Sequence, residues 1–175
     1  MTTTKKPLAD RTPVHAIVET PRGSRNKYKW DEETDRIKLS KVMPQGMVFP
    51  YDFGYFPETR SEDGDPLDVL ILNDEPTFAG CQIDCRLIGV IPALQRNVGQ
   101  SEKRNDRVIA VAEASVIFAS VRELSEVEPM VLKQIEDFFV NYQKVRDVQV
   151  TLLRREDSYG ATKLLEEAIA RHKKH

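Results

Sequence analysis

Residues 62–73 read "EDGDPLDVLILN", an acidic turn that runs directly into an apolar strand. Asp63, Asp65 and Asp68 crowd together around Gly64 and Pro66, and carboxylates that close repel one another. Asp, Gly and Pro all favour turns, which accounts for the first two aspartates. It does not account for Asp68. Leu67, Val69 and Ile71 alternate with Asp68, Leu70 and Leu72, so Asp68 opens a strand face that is otherwise apolar, where a carboxylate needs a partner. A hard divalent cation such as Mg²⁺ would supply one, taking one or two carboxylates, phosphate oxygens and waters. Pro66 and the missing later ligands exclude an EF-hand loop.

Outward from this turn, short β-branched and aromatic runs broken by Pro and Gly fill residues 14–118. They predict strands over "VHAIVET", "KYKW", "RIKLS", "LDVLIL", "CQIDCRLIGVIPAL" and "RVIAVAEASVIF". Two helical patterns follow. Val131, Leu132, Ile135, Phe138, Phe139 and Tyr142 share one face behind Pro129, and Leu164, Leu165, Ala168 and Ile169 share another that ends in basic residues. The order predicts strands first and helices after, in an α+β, mainly β fold. With 175 residues and no long linker, the sequence suits a single domain over 1–175 with its core at about 14–172.

Composition narrows the function. Charged residues make up 31% of the chain, but the net charge is −2 and neither sign forms a block, so no basic stripe points to nucleic acid. No apolar run approaches the roughly 20 residues of a membrane helix, and the polar N-terminus does not resemble a signal peptide. Cys81 and Cys85 read as buried free thiols of a cytoplasmic protein.

Upstream of the acidic turn, "IVETPRGSRNKYKWD" supplies Glu19, Arg25, Lys27 and Lys29, and cations alternating with carboxylates around one cleft suit a metal–phosphate complex. Strand alternation puts Lys27 and Lys29 on the same face. Phe49, Tyr51, Phe53 and Tyr55 read as barrel core.

The ordered set "AIVETP", "NKYKWD", "FPYDFGYFPET" and "DGDPLDVLIL", followed by "EDFFVNYQ", resembles the soluble magnesium-dependent inorganic pyrophosphatases of the barrel-forming type, over nearly the whole chain. The resemblance implies a small, twisted five-stranded OB-like β-barrel flanked by C-terminal helices. It implies that Asp63 and Asp68 hold activating Mg²⁺ (Mn²⁺ or another divalent cation being possible). Asp65 would also touch metal and take the proton from the attacking water, and Glu19 would help to bind a metal that arrives with pyrophosphate. Lys27, Lys41, Arg107 and Tyr142 would contact phosphate. It further implies a homo-oligomer, a hexamer as in bacterial members of the family.

Several positions depart from the family pattern. Lys29 stands where the family carries a glutamate, Lys41 where it carries an arginine, and Phe49 and Phe53 where it carries tyrosines. In "QRNVGQSEKRNDR", Asn105 and Arg107 align with a metal-binding aspartate and a lysine. A further aspartate has no counterpart unless Asp106 or Glu102 serves, and Gln143 replaces a lysine. Two expectations follow: a working diphosphatase in which Lys29 also faces the substrate, or a catalytically weak or inactive relative that binds an anion, nucleotide or protein partner.

Overall fold

The structure is a computed structural model and describes residues 13–174; the polar N-terminal stretch lies outside the described residues. Strands β1 (Val14–Thr20), β4 (Asp52–Phe56), β5 (Leu67–Leu72), β6 (Gln82–Ile91) and β9 (Arg107–Ala112) close into a barrel in the order β1-β4-β5-β9-β6. This is the expected five-stranded OB-like barrel. Strands β2 (Asn26–Asp31) and β3 (Arg36–Val42) form a separate hairpin, and β7 (Ala93–Arg96), β8 (Lys103–Arg104) and β10 (Gln149–Leu152) a small sheet. Helices α1 (Pro129–Lys144) and α2 (Ser158–His172) complete the chain.

Period-2 alternation sends the two faces of β5 into two different clusters. Val69 and Ile71 pack with Ala161, Leu165 and Ala168 of α2, whereas Leu70 and Leu72 pack with Leu132, Ile135 and Phe139 of α1. Asp68 therefore opens the face that α1 covers. Pro129 begins α1, where its missing N–H costs nothing. The Asp157 carboxylate caps α2 by accepting from the Gly160 N–H at 3.0 Å. Gly54 permits the tight β1–β4 pairing, since a Cβ there would lie 2.0 Å from the Ile17 carbonyl oxygen.

Three readings of the sequence need correction. The run expected to continue through Phe118 stops at Ala112 because the Asp74 carboxylate accepts from Ser115 Oγ and from the Val116 and Ile117 N–H groups, folding that segment into a turn. Residues 52–56, read only as aromatic core, form barrel strand β4, and β10 falls between the helices rather than before them. Cys81 is half-buried; Cys85 is buried, and both thiols are free. Of the four aromatics assigned to the core, Phe49, Phe53 and Tyr55 are buried and Tyr51 is half-buried.

Candidate active site

The acidic turn is fixed at its base before it reaches the cleft. Thr59 Oγ1 accepts from the Leu67 N–H at 2.9 Å, and the Asp65 carbonyl accepts from the Ser61 N–H at 2.7 Å. Gly64 sits at φ 92°, which a side chain would strain. The turn brings the Asp65 N–H to within 3.1 Å of Asp63 Oδ1.

Strand pairing then sets Asp68 among its neighbours. Tyr55 lies opposite it on β4, and because Val69 pairs with Val108 in the parallel β5–β9 ladder, Asp68 and Arg107 stand side by side one residue earlier. Glu19 arrives from the other side. It falls where the β1–β4 register shifts between Val18 and Thr20, and a bulge re-aims the side chain it carries. Its Oε1 accepts from the Trp30 N–H at 2.7 Å, tying β1 to the hairpin.

The electrostatics record how close these groups are. Burial pushes the Glu19 carboxyl up to about 7; the Trp30 hydrogen bond opposes this, Asp68 adds to it, and Lys27 and Lys29 pull against it. Burial likewise raises Asp68 to about 6 against the pull of Lys27 and Arg107, with Asp63 and Asp65 raising it further. Asp63 is raised by burial and by Asp65. The Lys29 ammonium contacts Asp65 Oδ2 at 2.8 Å; although burial works against its charge, Asp65, Glu19 and Asp68 together hold it above the ordinary lysine value.

Beyond Lys27 the cleft turns basic and aromatic. Lys27 Nζ lies 5.2 Å from the Phe53 ring centroid and 5.4 Å from that of Tyr142, within cation–π range of both. Lys41 pairs with Lys27 across the hairpin, and burial together with Arg146, Lys27 and Lys29 lowers its pKa. The buried Tyr142 hydroxyl has no partner within normal hydrogen-bond geometry among the described residues, although Lys27 stands close enough to favour its ionised form. Burial raises it, but Lys27, Lys41 and Arg146 outweigh burial and leave it below the ordinary tyrosine value. Arg107 is buried, with its guanidinium 4.3 Å from the Phe139 ring centroid and its Nε unpartnered among the described residues. Burial lowers its pKa while Asp68 and Tyr142 sustain its charge.

Not every expected site residue reaches this cleft. Asp106 does not join the other carboxylates: its side chain accepts from Arg104 Nε at 2.7 Å and from the Ala93 N–H at 3.2 Å, which satisfies it. Arg25 donates to the Met43 carbonyl at 2.7 Å. Asn105 is absorbed in an amide network that no local pattern announces. Its Nδ2 donates to Gln95 Oε1 at 2.8 Å, Gln143 Nε2 reaches the same oxygen at 3.3 Å, and Arg146 Nη1 lies 3.4 Å from Gln143 Oε1. The departures at 105 and 143 are thus joined through Gln95. As they lie, no three His, Cys, Asp or Glu side chains among the described residues stand close enough to enclose a metal ion.

Carboxylates gathered at the acidic turn, with cations free of ion pairs among the described residues beyond Lys27, are an arrangement that would suit a phosphate group beside an acidic centre in a barrel protein. Residues 16–173 match the family model described as inorganic pyrophosphatase. The chain belongs to the inorganic pyrophosphatase family. It is 35% identical over 165 residues to the inorganic pyrophosphatase of Methanosarcina acetivorans, covering 94% of this chain and 95% of that one. It is 36% identical over 159 residues to that of Geobacillus stearothermophilus, covering 91% and 93%. The crystal structure of the Thermus thermophilus inorganic pyrophosphatase superposes with a TM-score of 0.86 at 31% identity, covering 96% of this chain and 97% of that one.

Proposed function

We infer that the chain is an inorganic diphosphatase that hydrolyses pyrophosphate to two phosphates by a metal-activated water. The observation that carries this reading is the junction at Asp68, where the acidic group meets Arg107 and Lys27 in a chain that matches the family from end to end of its barrel.

Asp63, Asp65, Asp68 and Glu19 offer the hard oxygens that Mg²⁺ takes, and a cation that drew them together would relieve the burial and mutual repulsion that raise Asp63, Asp68 and Glu19. Mg²⁺, or Mn²⁺ in its place, would bring a Lewis acid that lowers the pKa of water. The protein's own groups do the rest. Asp65 takes the proton of the attacking water. Lys27, Lys41 and Arg107 neutralise the phosphate oxygens as charge moves onto the leaving group, Lys as a point charge and Arg as a planar donor. The Tyr142 hydroxyl donates to a phosphate oxygen, which gives that buried group its partner.

Among the described residues no helix is long and apolar enough to cross a membrane. We place the protein in the cytoplasm as a homo-oligomer, most simply a hexamer. Val116 and Ile117, 80% and 70% exposed, supply apolar surface for such contacts. Light scattering at micromolar concentration tests the assembly, and a monomeric mass rejects it.

Phosphate release from pyrophosphate by the purified protein across a Mg²⁺ titration tests the activity. Turnover that rises with metal is the expected result. Release at background level at every Mg²⁺ and Mn²⁺ concentration overturns the reading.

A further inference from the structure

The β2–β3 hairpin carries Lys27 and Lys29 to the cleft, yet no strand ladder joins it to the barrel: β2 pairs with β3 alone. Side chains take the inner edge of β2 instead. Along a strand the N–H groups of residues two apart point to the same side, and those of Tyr28 and Trp30 are caught by two consecutive residues of β1. Thr20 Oγ1 accepts from the Tyr28 N–H at 3.0 Å, and Glu19 Oε1 accepts from the Trp30 N–H at 2.7 Å. One oxygen of the Glu19 carboxylate thus holds the hairpin. Among the described residues no hydrogen bond engages the other, Oε2.

A backbone N–H places a carboxylate only as firmly as the backbone itself is placed, and Trp30 is held on two further sides. Its indole stacks on Tyr55, with centroids 5.6 Å apart and planes at 22°, and the buried Tyr55 stands opposite Asp68 in the β4–β5 pairing. Its indole N–H donates to Asp35 Oδ1 at 3.2 Å. Asp35 lies in the hairpin's own turn, at φ 49° in the left-handed region that a short polar residue tolerates. The ring therefore connects the turn of the hairpin to the strand pair that carries Asp68, and its main chain connects both to Glu19. Without the stack, the ties next to Trp30 along β2 are the Thr20 hydroxyl and the half-exposed Lys29–Asp65 ion pair, which adds little.

We propose that Trp30 is a positioning residue for the acidic centre: its stack on Tyr55 fixes the Glu19 carboxylate relative to Asp68, and with it the affinity of the centre for divalent cations. This rests on the diphosphatase reading for what the centre does, though not for metal binding itself. A ring that only filled space beneath the hairpin would act on stability alone. A positioning ring acts on metal affinity in a chain that stays folded, and another aromatic ring at position 30 replaces it where an aliphatic side chain does not.

The test uses full-length wild type, Trp30→Leu, Trp30→Phe, Tyr55→Leu and the double variant Trp30→Leu with Tyr55→Leu, each checked for a cooperative denaturant transition. Calorimetric Mg²⁺ titration without substrate is paired with phosphate release from pyrophosphate across the same metal range. Trp30→Leu is expected to weaken Mg²⁺ binding about tenfold, the scale of one lost aromatic pair, with Trp30→Phe recovering most of the loss. Tyr55→Leu should match Trp30→Leu, and the double variant should bind no more weakly than either, since both substitutions remove one contact. Hydrolysis should need about tenfold more Mg²⁺ in Trp30→Leu, while kcat at saturating metal falls less than about threefold. Wild-type Mg²⁺ affinity in a folded Trp30→Leu, a Trp30→Phe as weak as Trp30→Leu, additive losses in the double variant, or a wild type that binds no Mg²⁺ each overturn the assignment. If Trp30→Leu does not fold, Tyr55→Leu decides by the same measure; if neither folds, the stack serves the fold and the assignment fails. If wild type binds Mg²⁺ and releases no phosphate, the diphosphatase reading fails by itself, and the Mg²⁺ titrations alone uphold or reject the role of Trp30.

Discussion

Lys29 Nζ lies 2.8 Å from Asp65 Oδ2, which places an ammonium inside the acidic group proposed to receive divalent cations. Both side chains remain about half exposed, so the pair itself adds little to stability. Its consequence is electrostatic: Lys29 also acts on Glu19 and is acted on by Asp68, so it would compete with a metal bound to the same carboxylates. Replacing Lys29 with Met is expected to tighten Mg²⁺ binding by about tenfold, and with Glu by more, as a repelling charge is removed and then reversed. Calorimetry of the metal-free protein reads this directly, and phosphate release at low Mg²⁺ should rise in parallel. Metal affinities equal to wild type in both variants would place Lys29 outside the metal's reach.

Metal should also stabilise the fold. If Asp63, Asp65 and Asp68 share Mg²⁺, saturating metal at about 100 times its Kd adds about 2.7 kcal/mol, or roughly 5–10 °C for a chain of this size. Asp68→Asn is expected to abolish most of that increment. A thermal scan of wild type that is the same with chelator and with Mg²⁺ would count against metal binding at this turn.

Glu19 ties stability to pH in the metal-free protein. Its carboxyl stands at about 7 in the folded state and at 4.5 ordinarily, so between these values the folded chain holds a proton that the unfolded chain has released. Its contribution is full below about 4.5, falls as pH rises toward 7 and is flat above that, with a span of at most about 3 kcal/mol. Glu19→Gln cannot release a proton, so its stability should decline less over this window. Denaturant melts of both proteins between pH 4.5 and pH 8 in chelator test this; parallel curves would remove Glu19 as the cause.

Much of this architecture was legible in the sequence, for identifiable reasons. β5 and the two helices declare themselves because a period of 2 or 3.6 continues over enough residues to exclude the alternative. The acidic turn was equally plain, since its chemistry is local: three aspartates, a glycine at positive φ and a proline. What escaped was set by distant partners. The Asp74 carboxylate ends the barrel strand by capturing the Val116 N–H, 42 residues away, and no pattern in "AEASVIF" announces that. Arg104 removes Asp106 from the cleft in the same way. The amide chain from Asn105 through Gln95 to Gln143 joins β7, β9's approach and α1, so its members look unrelated until the strands pair.

Tyr142 separates stability from binding most cleanly. Its hydroxyl is buried and has no partner within normal hydrogen-bond geometry among the described residues, and a buried hydroxyl left unpaired costs about 1–3 kcal/mol. Removing it as Tyr142→Phe keeps the ring, its stacking with Phe138 at 6.0 Å and its contact with Lys27. The variant should therefore be as stable as wild type or more so, by up to about 1 kcal/mol. The effect on substrate is opposite in sign. If the hydroxyl donates to a phosphate oxygen, its loss raises KM for pyrophosphate by about tenfold. Denaturant unfolding and steady-state kinetics on the same preparation decide the matter. A destabilised variant with normal KM would mean that the hydroxyl serves the fold through a water rather than the substrate.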